Sequence, residues 1–340
     1  MNKKVSLFSM ICAAVLVISA CGGNTASSPS EAETSAAGSE SGTETKVTSV
    51  KTVLSWYAQP EQGGTFAAIS KGYFDEAGLD VTIEPGGPQV SSIQIVASGK
   101  AEFGYTTGDK LVLAKSEGIP IIGLMAGYQN SPLIFMSHKD AGIKDFSDLS
   151  GRTVYTTPGF TFWDYVKHKY KLENVTELSY LGDPSNFVAD ENAVTQSYLT
   201  NEPFALEQQG IQTDTLLISE SGYATYDQVL FTTEKYLESN PDIVKAYIAA
   251  TLKGWDYYKD HSDEINPVIL EQNANASLEG FAYASTFQDR FVFSGDASTH
   301  GVGYMSKERW DTLIEQLAEI GALKEPVPSE QIFTTDYLPE

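Results

Sequence analysis

The strongest constraint on how this chain folds is an alternation that begins at Thr52 and runs twice. Val53-Leu54-Ser55-Trp56-Tyr57 has strand character, Gly63-Gly64 turns the chain, and a helical pattern follows from about Thr65 to Glu76. Leu79-Asp80-Val81-Thr82-Ile83 alternates as a half-buried strand does. A Gly86-Gly87-Pro88 turn, a helix from Ile93 to Ser98, the strand Phe103-Gly104-Tyr105, another helix and the strand Ile121-Ile122-Gly123-Leu124-Met125 complete the first series. Asp145-Phe146-Ser147-Asp148-Leu149-Ser150-Gly151-Arg152 opens a second series, from Thr153 to about Ile218. After Val229-Leu230-Phe231-Thr232 the pattern is largely helical. Asn240 and Pro241 open a long amphipathic helix to about Lys259, with Asn as cap and Pro at the first position. Strands alternating with helical patterns of about 10–15 residues specify βαβ units and a mostly parallel sheet.

Two such series, with an extended segment on either side of the second, describe an α/β protein with one domain inserted into another. The first domain comprises residues 51–136 plus 232–340, the second residues 137–231, and the two crossovers form the hinge. Ligands of open α/β sheets bind outside the carboxyl ends of the strands, so two facing edges make an interdomain ligand cleft. Hinge closure around a ligand is the expected motion.

The N-terminus sets the address. Lys3 and Lys4 precede an apolar run, Ile11-Cys12-Ala13-Ala14-Val15-Leu16-Val17-Ile18, that is closed by Ser19-Ala20-Cys21. A short basic segment, a core too short to span as a stable helix and small residues at the end read as a secretory signal over residues 1–20. Ile18-Ser19-Ala20-Cys21 resembles the lipobox of bacterial lipoproteins, which implies lipidation of Cys21; the alternative is an ordinary signal peptide with a Cys near its cut site. Residues 21–50 are Gly-, Ser-, Thr- and Glu-rich with no aromatic residue, and are expected to form a disordered tether. Such a coil spans roughly 30 Å. The chain is then lipid-anchored at the extracytoplasmic face of a cell membrane.

Charge and cysteine usage exclude several roles. The formal net charge is −23, and loss of Lys3 and Lys4 with the signal takes it to −25. A surface that acidic repels nucleic acid and anionic head groups. Cys12 leaves with the signal and Cys21 carries lipid, so no thiol is left for a disulfide, a thiolate metal site or a nucleophile. The four histidines, His138, His168, His261 and His300, lack metal-ligand spacing. No cofactor or metal is expected.

Several phrases carry a family resemblance. They are Leu54-Ser55-Trp56 with Gly63-Gly64 before a helix, Lys71-Gly72-Tyr73-Phe74-Asp75-Glu76-Ala77-Gly78-Leu79-Asp80-Val81, and Val96-Ala97-Ser98-Gly99-Lys100-Ala101-Glu102-Phe103. Lys144 through Arg152 and the tail Ile332-Phe333-Thr334-Thr335-Asp336-Tyr337-Leu338-Pro339 complete the set. From Thr52 to Glu340 the chain resembles the NMT1/THI5-like solute-binding proteins. The resemblance implies a monomeric receptor of the type II periplasmic-binding-protein fold that serves an ABC permease with its ATPase. The same phrases mark receptors for thiamine-precursor pyrimidines, sulfonates and nitrate, so the ligand does not follow from them.

Candidate contacts lie in the loops at strand ends. In the first loop, Trp56 offers a flat apolar face or core packing, Gln59, Glu61 and Gln62 offer polar groups, and Gly64 allows close approach at a helix N-terminus. Pyrimidine-precursor receptors of the family carry a His six residues after the Trp; here Gln62 stands there, which weakens that assignment while keeping a ring-edge hydrogen-bonding group. The second loop supplies Gly87 and Gln89. The third supplies Thr107 and Asp109, the latter either a helix cap or an acceptor for a ligand amine. In the second domain Thr157, Phe160, Thr161 and Trp163 bring hydroxyls and aromatic rings to a helix start, so Phe160 or Trp163 would face Trp56 across the cleft. Glu202 lies at a later strand end where the family often places a contact, and Tyr223 and Tyr226 lie near the hinge.

The chain has three arginines, Arg152, Arg290 and Arg309, none in these loops. Receptors for sulfonate or carboxylate often use a guanidinium fork. Its absence, beside Glu61, Asp109, Glu202 and many aromatics, favours a flat, neutral or weakly basic heterocycle, a thiamine-precursor pyrimidine first and riboflavin as an alternative. A small anion held by helix N-termini is the other reading. A third is an enzyme like the fungal branch of the superfamily, which builds the thiamine pyrimidine with a Cys-rich motif; this chain has no such motif, no Gly-x-Ser-x-Gly, no Walker loop and no His-Glu-x-x-His.

Overall fold

The computed structural model describes residues 47–339. The signal segment, Cys12 and Cys21 with its expected lipid, and the tether as far as residue 46 lie outside the described residues. Ten strands follow in order: β1 Thr48–Val53, β2 Leu79–Glu84, β3 Phe103–Thr106, β4 Ile121–Tyr128, β5 Leu133–His138, β6 Thr153–Thr156, β7 Thr176–Ser179, β8 Ala193–Tyr198, β9 Thr213–Leu217 and β10 Asp227–Thr233. They form two five-stranded sheets with helices, ordered β2-β1-β3-β10-β4 and β7-β6-β8-β5-β9. The two orders are the same plan, drawn twice.

Four strands of each sheet run the same way, as the alternation implies, and one runs against them. β1 runs parallel to β2 and β3, with Val50 opposite Val81, but β10 is antiparallel to both β3 and β4. In the second sheet β6 is parallel to β7 and β8, whereas β5 is antiparallel to β8 and β9. The reason is topological. β5 and β10 are the strands by which the chain enters one lobe from the other, and each inserts against the direction of its new neighbours. This also moves the crossovers from where the sequence placed them. β5 already belongs to the second sheet and β10 to the first, so the chain passes between lobes near residues 129–132 and 222–226.

Other local corrections have local causes. β1 starts at Thr48, inside the segment read as tether, because it pairs with β2 from Leu79 onward. It ends at Val53, which leaves Trp56 and Tyr57 in the loop beyond it. The helix expected over 65–76 is two, Gly63–Ser70 and Tyr73–Glu76, divided where Gly72 takes a left-handed φ of 72°. The long helix continues past Lys259, running from Pro241 to Leu270 with a kink at His261.

That helix is the spine of the first lobe. Val244, Tyr247, Ile248, Thr251, Trp255 and Tyr258 recur at helical spacing and are buried. Tyr247 stacks on Phe103 of β3 at 4.2 Å and its hydroxyl pairs with Thr52 at 2.8 Å. The helix Gly63–Ser70 crosses it so closely that only hydrogen fits at the contact. A Cβ on Gly64 would stand 2.4 Å from the Trp255 ring, and one on Gly254 would stand 1.9 Å from the Gly64 carbonyl oxygen. The Gly63-Gly64 pair therefore serves helix packing.

Gly254→Ala is expected to destabilise the protein by about 2–3 kcal/mol through overpacking at this crossing. Equilibrium denaturation with a shared m-value checks it, and unchanged stability would mean that the two helices separate freely.

Candidate functional site

A cavity of 340 Å³ lies where the carboxyl ends of the parallel strands of both sheets meet. From the first lobe it is lined by Trp56, Tyr57, Gln59, Glu61 and Gln62 after β1, by Gly87 after β2, and by Thr107 and Lys110 after β3. From the second come Thr157 and Phe160 after β6, Tyr180 after β7, and Tyr198 and Glu202 at the end of β8. Gln228 of β10 closes the crossover side. Of the residues singled out in the sequence, Trp56, Gln59, Glu61, Gln62, Gly87, Thr107, Thr157, Phe160 and Glu202 share this cavity.

Its walls are aromatic. Trp56 remains 36 % exposed and packs edge-on to Tyr57 with 5.5 Å between centroids. Loop Leu181-Gly182 of the other lobe reaches it: a Cβ on Gly182 would lie 3.7 Å from the Trp56 ring. Lys110, the lysine among the lining residues, holds its ammonium 4.2 Å above the Phe160 ring. None of the three arginines lines the cavity; Arg152 donates to the Ala141 carbonyl, Arg290 pairs with Glu220 at the surface, and Arg309 binds the crossovers.

Its polar groups are mainly acids and amides. Glu61 is 3 % exposed; its Oε1 accepts from the Thr200 hydroxyl at 2.6 Å, and its Oε2 has no hydrogen-bond partner. Burial, aided by the charges of Asp227 and Glu202, pushes its carboxyl up to about 7, against the lowering effect of Thr200. Glu202 accepts from the Tyr198 amide at 2.8 Å and the Tyr180 hydroxyl at 3.1 Å, and burial raises it above the usual carboxylate range. Behind the lining, Asp227 accepts from Ser131 at 2.7 Å and from the Tyr198 hydroxyl at 3.1 Å; it too is raised by burial. Gln62 is held at both ends, accepting from the Gln59 amide at 3.1 Å and donating to Gln228 at 2.9 Å. Thr157 is fixed by Gln196, whose amide oxygen accepts from the Thr157 N–H at 2.7 Å and whose Nε2 donates to its hydroxyl at 2.8 Å.

The remaining sequence candidates lie elsewhere. Asp109 is an interlobe tie. Its Oδ2 accepts from Thr161 of the second lobe at 2.6 Å and from Tyr223 of the returning chain at 3.1 Å, while its Oδ1 accepts from Thr107. Asp109 and Tyr223 border a separate cavity of 20 Å³, room for about one water and not for a solute. Trp163 is 3 % exposed in the second-lobe core, edge-on to Phe135 at 5.3 Å, because the helix Thr161–Tyr170 turns its apolar face to the sheet. Tyr226 lies beneath Arg309 at 4.1 Å and accepts from the Ser306 amide at 2.8 Å. Gln89 is exposed in the turn after Pro88, and Gly64 meets Trp255.

Sequence reasoning missed Tyr180, Tyr198, Lys110 and Gln228. Tyr180 follows β7 and Tyr198 ends β8, so the strand-end rule would have found both. Gln228 had no signal: it holds a left-handed φ of 49° inside a strand, the kind of conformation that collects at functional sites.

Among the described residues, no three His, Cys, Asp or Glu are placed to hold a metal ion, and no helix is long and apolar enough to cross a membrane.

Two α/β lobes on one repeated plan, joined by paired crossovers around a cleft, are the fold of periplasmic binding proteins. The periplasmic aliphatic sulphonate binding protein SsuA from Escherichia coli superposes with a TM-score of 0.66 at 12 % identity, over 86 % of this chain and 94 % of that one. The NMT1/THI5 like family model matches residues 59–265, and the chain belongs to this family. It is similar to the formylaminopyrimidine-binding protein of Halalkalibacterium halodurans, at 25 % identity over 98 % of this chain and 99 % of the relative. It is also similar to the riboflavin-binding protein RibY of Chloroflexus aurantiacus, at 24 % identity over 96 % and 95 %.

The buried carboxyls make stability depend on pH. Glu61 is neutral in the folded state up to about pH 7 but ionises near 4.5 when unfolded, so folding takes up a proton in between. Stability should therefore fall as pH rises from 4.5 to 7, by up to roughly 3 kcal/mol from this group, and then level off. Denaturation at stepped pH should show a shallower fall in Glu61→Gln; identical slopes would contradict the assignment. Asp109→Ala removes the acceptor shared by Thr161, Tyr223 and Thr107, of which Thr161 and Tyr223 keep only their mutual bond at 2.8 Å, and should cost about 1–2 kcal/mol by the same assay, an effect that a merely exposed carboxylate would not show.

Proposed function

We propose that this chain is an extracytoplasmic solute-binding protein that closes on a small flat nitrogen heterocycle and delivers it to an ABC permease with its ATPase. The observation that carries the reading is the 340 Å³ interlobe cavity, walled by Trp56, Tyr57, Phe160, Tyr180 and Tyr198, with buried carboxyl groups and amides at its edge. Flat aromatic walls suit a ring that stacks, and acceptors at the rim suit its N–H groups. A sulfonate or nitrate ligand would call for cationic donors, and the cavity has Lys110 but no guanidinium.

The two full-length relatives are named for a formylaminopyrimidine and for riboflavin, both flat nitrogen heterocycles. A pyrimidine related to thiamine biosynthesis is the favoured ligand. Riboflavin is the second reading, supported by a cavity whose apolar lining also includes Leu181, which is 75 % exposed. The site acts by binding and release rather than catalysis: its acids are tied to hydroxyls and amides, with one oxygen of Glu61 left over. The protein works as a monomer, hinged at residues 129–132 and 222–226, with the lobe strands on either side moving as rigid bodies. Lipid on Cys21 and the tether after it anchor this receptor beside its permease.

Titration calorimetry with 4-amino-5-hydroxymethyl-2-methylpyrimidine, riboflavin, taurine and nitrate tests the reading. One of the heterocycles should bind, and at about 100 times its Kd it should stabilise the fold by roughly 2.7 kcal/mol. Trp56→Ala should weaken that binding about tenfold or more with little change in melting temperature, since the ring is partly exposed in the free protein. Binding of taurine or nitrate alone would refute the heterocycle assignment.

A further inference from the structure

One carboxyl group in the cleft is left half-satisfied. Glu61 sits in the short turn Pro60–Gln62 of the first lobe and lines the cavity. Its Oε1 is tied across the cleft, because Thr200 belongs to the second lobe. Its Oε2 is buried without a partner, an arrangement that is costly unless something arrives to pair with it.

The surroundings decide what that something is. Asp227 and Glu202 place two further carboxyl groups close enough to act on Glu61 through their charge. The phenols of Tyr128, Tyr198 and Tyr258 are near enough for their own ionisation to be opposed by it. Among the described residues, the one lysine lining the cavity, Lys110, lies over the Phe160 ring, and no arginine or histidine lines it. The local field is therefore negative and favours a hydrogen on the ligand side over a lone pair.

We infer that Glu61 selects ligands that bring an N–H donor to its Oε2 while its Oε1 holds the second lobe through Thr200, so that recognition and closure meet in one carboxylate. This role rests on the proposed binding of a heterocycle in the cleft and specifies which edge of the ring must face the first lobe. A ligand without the donor leaves Oε2 buried and unpaired, and the closed cleft is then disfavoured.

Such selection has a pH signature. In the free protein the Glu61 carboxyl takes a proton below about pH 7. An N–H donor pairs with the ionised form, so capture of an uncharged ligand must expel that proton at lower pH. Affinity should then fall towards tenfold per pH unit below about 7 and be flat above it.

The test is calorimetry of the full chain at about pH 5.5, 7 and 8.5, on either side of the Glu61 titration. The probes are riboflavin and 4-amino-5-hydroxymethyl-2-methylpyrimidine, each beside its N-methylated counterpart lacking the N–H donor (the ring N3-methyl flavin and the dimethylamino pyrimidine). For whichever parent binds, methylation should weaken binding more than tenfold. Riboflavin, uncharged across this range, reads the pH profile directly; for the pyrimidine, whose ring titrates, the readout is wild type minus Glu61→Gln. That variant should lose more than tenfold at the highest pH and flatten the profile, because with Thr200 on its oxygen it presents an NH2 group to the ligand. Thr200→Val should weaken parent and methylated probes alike, which separates closure from selection. Melting temperatures confirm that each variant is folded.

Equal binding of parent and methylated probes, or an unchanged pH profile in Glu61→Gln, would overturn the role of Glu61 and leave the cleft reading standing. Failure of wild type to bind either parent would instead overturn the heterocycle reading, and this inference with it.

Discussion

The structure depends on a strand exchange. Each sheet is completed by the strand that arrives from the other lobe: β5 slots between β8 and β9, and β10 between β3 and β4. Both insertions are antiparallel and central, so neither can slip without exposing a row of backbone donors and turning its buried face outward. The two crossovers are thereby drawn side by side. Arg309 fastens them, donating to the Ala224 and Thr225 carbonyls of one at 2.8 Å and to Asn130 of the other at 3.1 Å. A cleft that opens and shuts needs such a fixed edge.

From that edge the site follows. The repeated strand order aims the carboxyl ends of β1, β2 and β3 at those of β6, β7 and β8, and the loops after them meet around one cavity. Among the polar ties that cross the gap are Asp109 to Thr161 and Glu61 to Thr200. The first is fully satisfied by protein groups and is structural. The second leaves one oxygen over, and that difference separates a latch from a sensor.

Much of this was legible in the sequence. The strand and helix alternation led to the class, and the strand-end rule led to most of the cavity's loops, Trp56 and Glu61 among them. What stayed hidden was hidden for physical reasons. The direction of β5 and β10 is set by long-range pairing, which periodicity within a strand does not encode. Trp163 looked as suitable as Phe160, and which of them the helix buries depends on the rotation of Thr161–Tyr170 against Phe135. Gly64 is a case of one feature with two uses: a Gly pair before a helix admits a ligand or a neighbouring helix equally well, and here Trp255 occupies the space. Gln228 carries a strained backbone angle that no composition signals.

Everything functional turns on whether a flat heterocycle occupies the cleft between the aromatic loops of the two lobes. A crystal structure of the full chain grown with the aminopyrimidine and with riboflavin would decide it. Ring density bounded by Trp56 and Phe160 is expected, with an N–H group of the ligand within hydrogen-bonding distance of Glu61. An empty cleft at saturating ligand, or a ring bound outside this cavity, would contradict it.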